Sequence, residues 1–120
     1  MTRPLRIKVA HLEYQILPMT PKHVLYEGSN YGLHIPVDNH IYIDAEQSAP
    51  EQVRILFHEL IHAMFWAYNI QKESRDEEKT CSVLESPLAA LFRDNPRLPE
   101  VMAAAWAGKP LVVADEKKRR

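Results

Sequence analysis

His58-Glu59-Leu60-Ile61-His62 sets two imidazoles four residues apart, with a carboxylate beside the first. On a helix, four residues make about 1.1 turns, so the two rings stand one above the other on one face. Rings so placed can bind one zinc ion at about 2.1 Å each. Glu59 sits about 100° round the helix from His58, beside the ion without having to be a ligand. From there its carboxylate can take a proton from a metal-activated water, as a general base does in metal-assisted hydrolysis. A shuffled chain of this composition would hold about 0.03 matches to H-E-x-x-H. The motif also lies in "ILFHELIHAMFW", residues 55–66, the most apolar stretch of the chain. Ionisable groups there cost free energy unless something satisfies them. A metal-free alternative, with hydrogen-bonded histidines and Glu59 turned to solvent, needs a polar face that this segment does not offer.

The element carrying the motif has a clear start. "SAPE", residues 48–51, is a capping-box pattern, with Ser48 as N-cap, Glu51 reaching back and Pro50 in the first turn. From there to about Tyr68 there is neither glycine nor proline, which predicts a continuous helix. Past residue 54 it is apolar on nearly every side, which predicts a helix in the middle of the fold with Phe65 and Trp66 in the core. "NIQKES" reads as a polar turn, followed by a second helix from about Arg75 that Pro87 should bend or divide. "PEVMAAAWAG" reads as a third, short helix with Pro99 near its start, Gly108 just past its end and Trp106 docking it.

A catalytic zinc site needs a third protein ligand and leaves the fourth position to water. If the chain reverses near residue 70, the first two helices run antiparallel, and residue n lies level with roughly 140 − n on the other. Glu77, Glu78 and Cys81 are the ligand-type residues in the window opposite His58 and His62. Glu77 shares a stripe with Thr80, Cys81, Leu84, Leu88 and Leu91, read as the face turned to the core. Glu78 shares its face with Ser82 and Glu85, which reads as solvated. Cys81 reads as a small buried apolar residue. Face analysis therefore favours Glu77, with Glu78 and Cys81 as alternatives. An oxyanion donor is also expected, and Tyr68, His34, His40 and Tyr42 are the candidates.

Upstream of the motif the pattern is that of strands. Leu5, Ile7 and Val9 alternate with polar or small residues, and Leu12, Tyr14 and Ile16 then alternate in the opposite phase. A slip of one residue predicts one long strand over 5–17 with a bulge or break near His11. Residues 18–30 hold two prolines and a glycine and read as an irregular connection. "YGLHIPVDNHIYIDA" reads as a hairpin, with strands around 31–35 and 40–44 about the turn Pro36-Val37-Asp38-Asn39. The fold class expected is α+β: a small three-stranded, mostly antiparallel sheet, then the H-E-x-x-H helix, an antiparallel second helix and a short third one.

Composition bounds the setting. The chain has 120 residues, 46% of them hydrophobic and 26% charged, which suits a single soluble domain over residues 1–110. One cysteine argues against a disulfide scaffold and for a reducing, cytoplasmic location. A formal net charge of −1 gives no field for nucleic acid or an anionic membrane. The basic run "EKKRR" falls in a short charged tail, residues 111–120, read as solvated. The N-terminal stretch lacks a continuous apolar h-region, and no apolar run approaches the roughly 20 residues of a membrane span.

"LFHELIHAMFWAYNI" followed by "DEEKTCSVLESPLAALFRDNP" resembles small phage and prophage H-E-x-x-H proteins related to the ImmA/IrrE metallopeptidases. The resemblance covers about residues 31–96. It implies a sheet before the motif helix, a minimal zincin-like fold, and a gluzincin-type site completed by a glutamate of the next helix. By position the zinc ligands would be His58, His62 and Glu77, with Glu59 as general base. The larger ImmA/IrrE proteins usually place more residues between the second histidine and that glutamate, which keeps Glu78 in play.

The function expected is therefore a zinc-dependent metallopeptidase acting on a peptide or protein substrate. The strand nearest the motif helix, around Ile41–Asp44, would offer its edge to an extended peptide. Two rivals remain: a non-catalytic zinc-binding regulatory module of phage origin, and a zinc hydrolase acting on a non-peptide amide. Deformylases use H-E-x-x-H with a cysteine ligand, but theirs lies upstream of the motif, whereas Cys81 lies downstream.

Overall fold

The computed structural model of the protein describes residues 3–19, 31–70 and 77–114, with the side chains at 77, 78, 81 and 82 excepted. The expected connection over 20–30, the far part of the polar turn, the start of the second helix at Arg75 and the basic run at 116–120 lie outside those residues.

The chain is α+β, with a four-stranded mixed sheet and three helices. Strands β1 (Leu5–Val9) and β2 (Leu12–Pro18) pair antiparallel, β3 (Gly32–Ile35) and β4 (His40–Ile43) pair antiparallel, and β2 and β4 pair parallel. The spatial order is β1-β2-β4-β3. The expectation of three strands is thus corrected to four. The change of hydrophobic phase near His11 is a two-residue hairpin turn, not a slip within one strand. Val9 pairs with Leu12 and Ile7 with Tyr14, so odd positions on β1 and even positions on β2 share a face. The turn has no sequence signature because Ala10 takes a left-handed φ of 57° with no glycine or asparagine to mark it.

The inner face of the sheet carries Ile7, Val9, Tyr14, Ile16, Ile41 and Ile43, each 2% exposed or less. Helix α1 (Ala49–Ala67) lies on that face, against β3 and β4, and turns Val53, Leu56, Leu60, Ala63 and Met64 into the core. Its N-cap and first-turn proline are as expected, with Ser48 Oγ accepting the Glu51 N–H at 3.4 Å, but among the described residues the Glu51 side chain does not reach back to Ser48. The Glu51 carboxylate accepts from Arg54 Nε at 2.9 Å. At its end Asn69, at φ 53°, reverses the chain. The Ile70 N–H reaches Phe65 O at 2.9 Å and the Asn69 N–H reaches Trp66 O at 3.2 Å, a Schellman cap with asparagine in glycine's usual place.

Helix α2 (Glu77–Asp94) runs unbroken through Pro87, so the expected division there does not occur. Among the described residues it packs chiefly on β1, with little direct packing on α1. Its inward residues are Pro87, Ala90 and Leu91, while Leu88, expected in the core, is 38% exposed. Leu91 of the expected stripe lies in the core and Leu84 packs against it, so Leu88 is the one leucine of that stripe turned outward. Helix α3 (Leu98–Trp106) has Pro99 in its first turn and buries Leu98, Met102 and Ala105 against α1. Gly108, at φ 115°, caps it as expected. Trp106 does not dock it; the indole is 58% exposed.

Gln52, fully buried, ties the chain beyond α3 to α1. Its Oε1 accepts the N–H groups of Leu111 and Val112 at 2.8 and 3.0 Å, and Val112 enters the core. The packed chain therefore reaches past residue 110. Among the described residues no helix is long and apolar enough to cross a membrane.

Candidate metal centre

Helix α1 is not apolar all round in the fold. Arg54, His58, His62 and Trp66 recur at every fourth residue and form an exposed stripe. The sequence expectation of a fully enclosed helix is therefore corrected: one face packs on the sheet and this stripe opens into a cleft of about 830 Å³. Trp66, expected in the core, is 59% exposed, and Phe65 also lines the cleft.

His58 and His62 stand side by side on the cleft wall, with ring centroids 5.0 Å apart and planes at 69°. Glu59, one residue on and about 100° round the helix, is only 6% exposed, yet it too lines the cleft. The opposite wall is strand β3, and Gly32 explains how close that strand comes. A Cβ at Gly32 would lie 2.6 Å from Ile55 Cγ2 and 2.9 Å from Glu59 Oε2. Only a residue without a side chain lets the β3 backbone meet the helix there. The Glu59 carboxylate is thus held between strand and helix at the floor of the cleft, next to the two histidines.

Of the four candidates for an oxyanion donor, His34 alone lines the cleft. Tyr14 holds its ring. The Tyr14 hydroxyl lies 2.9 Å from His34 Nε2, and the ring centroids are 5.3 Å apart. Tyr14 is fully buried, and burial pushes its hydroxyl above the ordinary tyrosine range, so it stays protonated at neutral pH. Among the described residues this is the hydroxyl's one hydrogen bond. Which of the two groups donates depends on the tautomer of the His34 ring. His40 and Tyr42 instead pair with each other, Nδ1 to hydroxyl at 3.1 Å, away from the cleft. Burial, and then the nearby Asp38 carboxylate, raise the Tyr42 hydroxyl. Tyr68 is outside the cleft lining.

The third-ligand candidates fall at the edge of what is described. Glu77 opens α2, but its side chain, like those of Glu78 and Cys81, lies outside the described residues. Among the described residues no group of three His, Cys, Asp or Glu side chains is placed to hold an ion.

The donor set nonetheless suits a divalent metal. Two imidazoles at adjacent turns open onto one cleft, and a carboxylate is wedged beside them by a glycine that no other residue could replace without a shift. Sequence reading missed Gly32, Tyr14 and Arg54. An isolated glycine in a strand pattern does signal close backbone approach, and Arg54 is one turn before His58 on the same face. Tyr14 gave no signal, because its partner is 20 residues away. Comparison of the chain with protein-family models, with curated proteins and with solved structures found no match.

Proposed function

We propose that this chain is a zinc-dependent metallopeptidase of minimal zincin-like type, akin to the ImmA/IrrE proteins. In this reading His58, His62 and Glu77 hold zinc and Glu59 is the general base. The observation that carries the reading is the pairing of two adjacent, cleft-exposed imidazoles with a buried carboxylate beside them. Bound there, zinc would supply Lewis acidity to water and to the scissile carbonyl.

The chain's own groups do the rest. Glu59 takes the proton of the attacking water and returns it to the leaving amine. Its position against Gly32 fixes the carboxylate before substrate arrives, so little reorganisation is left for the reaction itself. His34, its ring held by Tyr14 on the cleft wall, is the side chain placed to face developing negative charge on the carbonyl oxygen.

The substrate strand is assigned to β3, not to residues 41–44. β4 is paired on both sides, by β2 and β3, whereas β3 is an edge strand among the described residues. The Asp44 N–H bonds Tyr31 O at 2.8 Å, so the antiparallel alternation turns the backbone of Gly32 to the outer edge. An extended peptide laid along that edge passes directly over Glu59.

Glu59→Gln tests the reading, because it removes the base while keeping shape and hydrogen bonding. With zinc supplied and a mixture of quenched peptides as substrate, the wild type should cleave and the variant should be slower by about 10²–10⁴-fold. Equal rates in the two proteins, or cleavage by neither, would defeat it.

A further inference from the structure

Beyond the two histidines, the stripe on α1 carries groups of opposite character at its ends: the Arg54 guanidinium at one and the Trp66 indole at the other. We infer that the cleft is a bipolar peptide groove, which selects an extended segment with an acidic side chain at the Arg54 end and an aromatic one at the Trp66 end. For the class of ligand this rests on the peptidase reading; the choice of side chains rests on the groups at the two ends.

Each end is built for what it would bind. Arg54 spends Nε on Glu51 at 2.9 Å, and among the described residues its two terminal nitrogens make no hydrogen bond. Glu51 thereby steadies the guanidinium and leaves its outer donors available to a carboxylate. The Arg54–Glu51 pair is itself half-exposed, 59% and 47%. Such a pair is worth little in water, so it offers little competition to a ligand carboxylate sheltered in the cleft. At the other end Trp66 and Tyr31 are 59% and 51% exposed on the same cleft, with Phe65 beside them. Exposed aromatic groups that adjoin one another in a cleft, unlike single exposed ones, mark an interaction surface.

The helix also sets the spacing. Twelve residues at about 1.5 Å each put Arg54 and Trp66 roughly 18 Å apart, with His58 and His62 between them. An extended peptide advances about 3.3 Å per residue and turns alternate side chains to the same wall. The two anchors of the ligand therefore fall four to six residues apart, separated by an even number, and the bond lying opposite the histidines falls between them.

The test is peptide binding by the full-length Glu59→Gln protein with zinc supplied, followed by fluorescence anisotropy of labelled peptides. The probes are alanine-based peptides with aspartate and phenylalanine four or six positions apart, in both orders. Replacing either anchor by alanine should weaken binding of the better order by at least about tenfold. Arg54→Glu should shift the preference from aspartate to lysine, and Trp66→Ala should erase the preference for phenylalanine. Both positions are exposed, so the variants should fold, and circular dichroism checks this. Anchored and alanine peptides of equal affinity, no binding of any peptide, or a second copy of the chain covering the cleft in gel filtration would each overturn the inference. Anchor-dependent binding with no cleavage by the wild type would instead uphold the groove and defeat the peptidase reading.

Discussion

A methyl group at position 32 would collide with Ile55 and with the Glu59 carboxylate, so one hydrogen atom separates a held base from a displaced one. Gly32→Ala should lower stability by about 1–3 kcal/mol, the usual cost of overpacking, as read from urea unfolding. It should also reduce any activity more than that loss of stability explains. A variant as stable and as active as the wild type would mean that the strand does not press on Glu59. Tyr14 makes a second prediction at this scale. Burial raises its hydroxyl above the ordinary value of 10.0, so the folded chain prefers the protonated phenol. That preference adds stability that is fully present below pH 10 and is lost as pH rises through the folded value. Tyr42, raised in the same direction, adds to the loss. Tyr14→Phe should therefore flatten, without abolishing, the fall in stability above pH 10. An unchanged alkaline slope would contradict the burial of the Tyr14 hydroxyl.

At the level of elements, local signals fixed helix α1 well and the sheet only in part. Ser48, Pro50 and the unbroken run to Tyr68 marked α1 because caps and helical continuity are local. The hairpin about Pro36–Asn39 was equally plain, since its turn residues are those that tight turns favour. The β1–β2 hairpin was not, because Ala10 bears a left-handed conformation that the sheet around it imposes. Which face of a helix meets water was also hidden: Trp66, Leu88 and Trp106 are apolar yet exposed, and only packing decides that. Gln52 is the converse case, a polar residue wholly buried because two backbone N–H groups need its oxygen. Gln52→Leu would leave both without that acceptor. It should cost about 1–3 kcal/mol and make residues 111–114 the first site of proteolysis. Unchanged stability and an uncut C-terminal segment would show that Gln52 does not hold this end of the chain.

Across the whole molecule the two edges of the sheet are treated differently. On β1 the Asn95 side chain pairs with both backbone groups of Lys8, at 2.7 Å each, much as a neighbouring strand would. The β3 edge instead borders the cleft that holds His58, Glu59 and His62. One edge is blocked by the chain itself and the other lies where an extended substrate is proposed to add. The motif made the two imidazoles and the carboxylate legible from sequence, but the wall opposite them depends on a strand more than 20 residues upstream. The whole account depends on a metal at His58 and His62. Its most direct test is the metal content of the full-length protein after zinc loading and dialysis, with His62→Ala and Glu77→Ala measured alongside. The account predicts about one zinc ion per chain in the wild type, and its loss in both variants. A wild type that retains no zinc would contradict the metal centre, and zinc retained by Glu77→Ala would move the third ligand elsewhere.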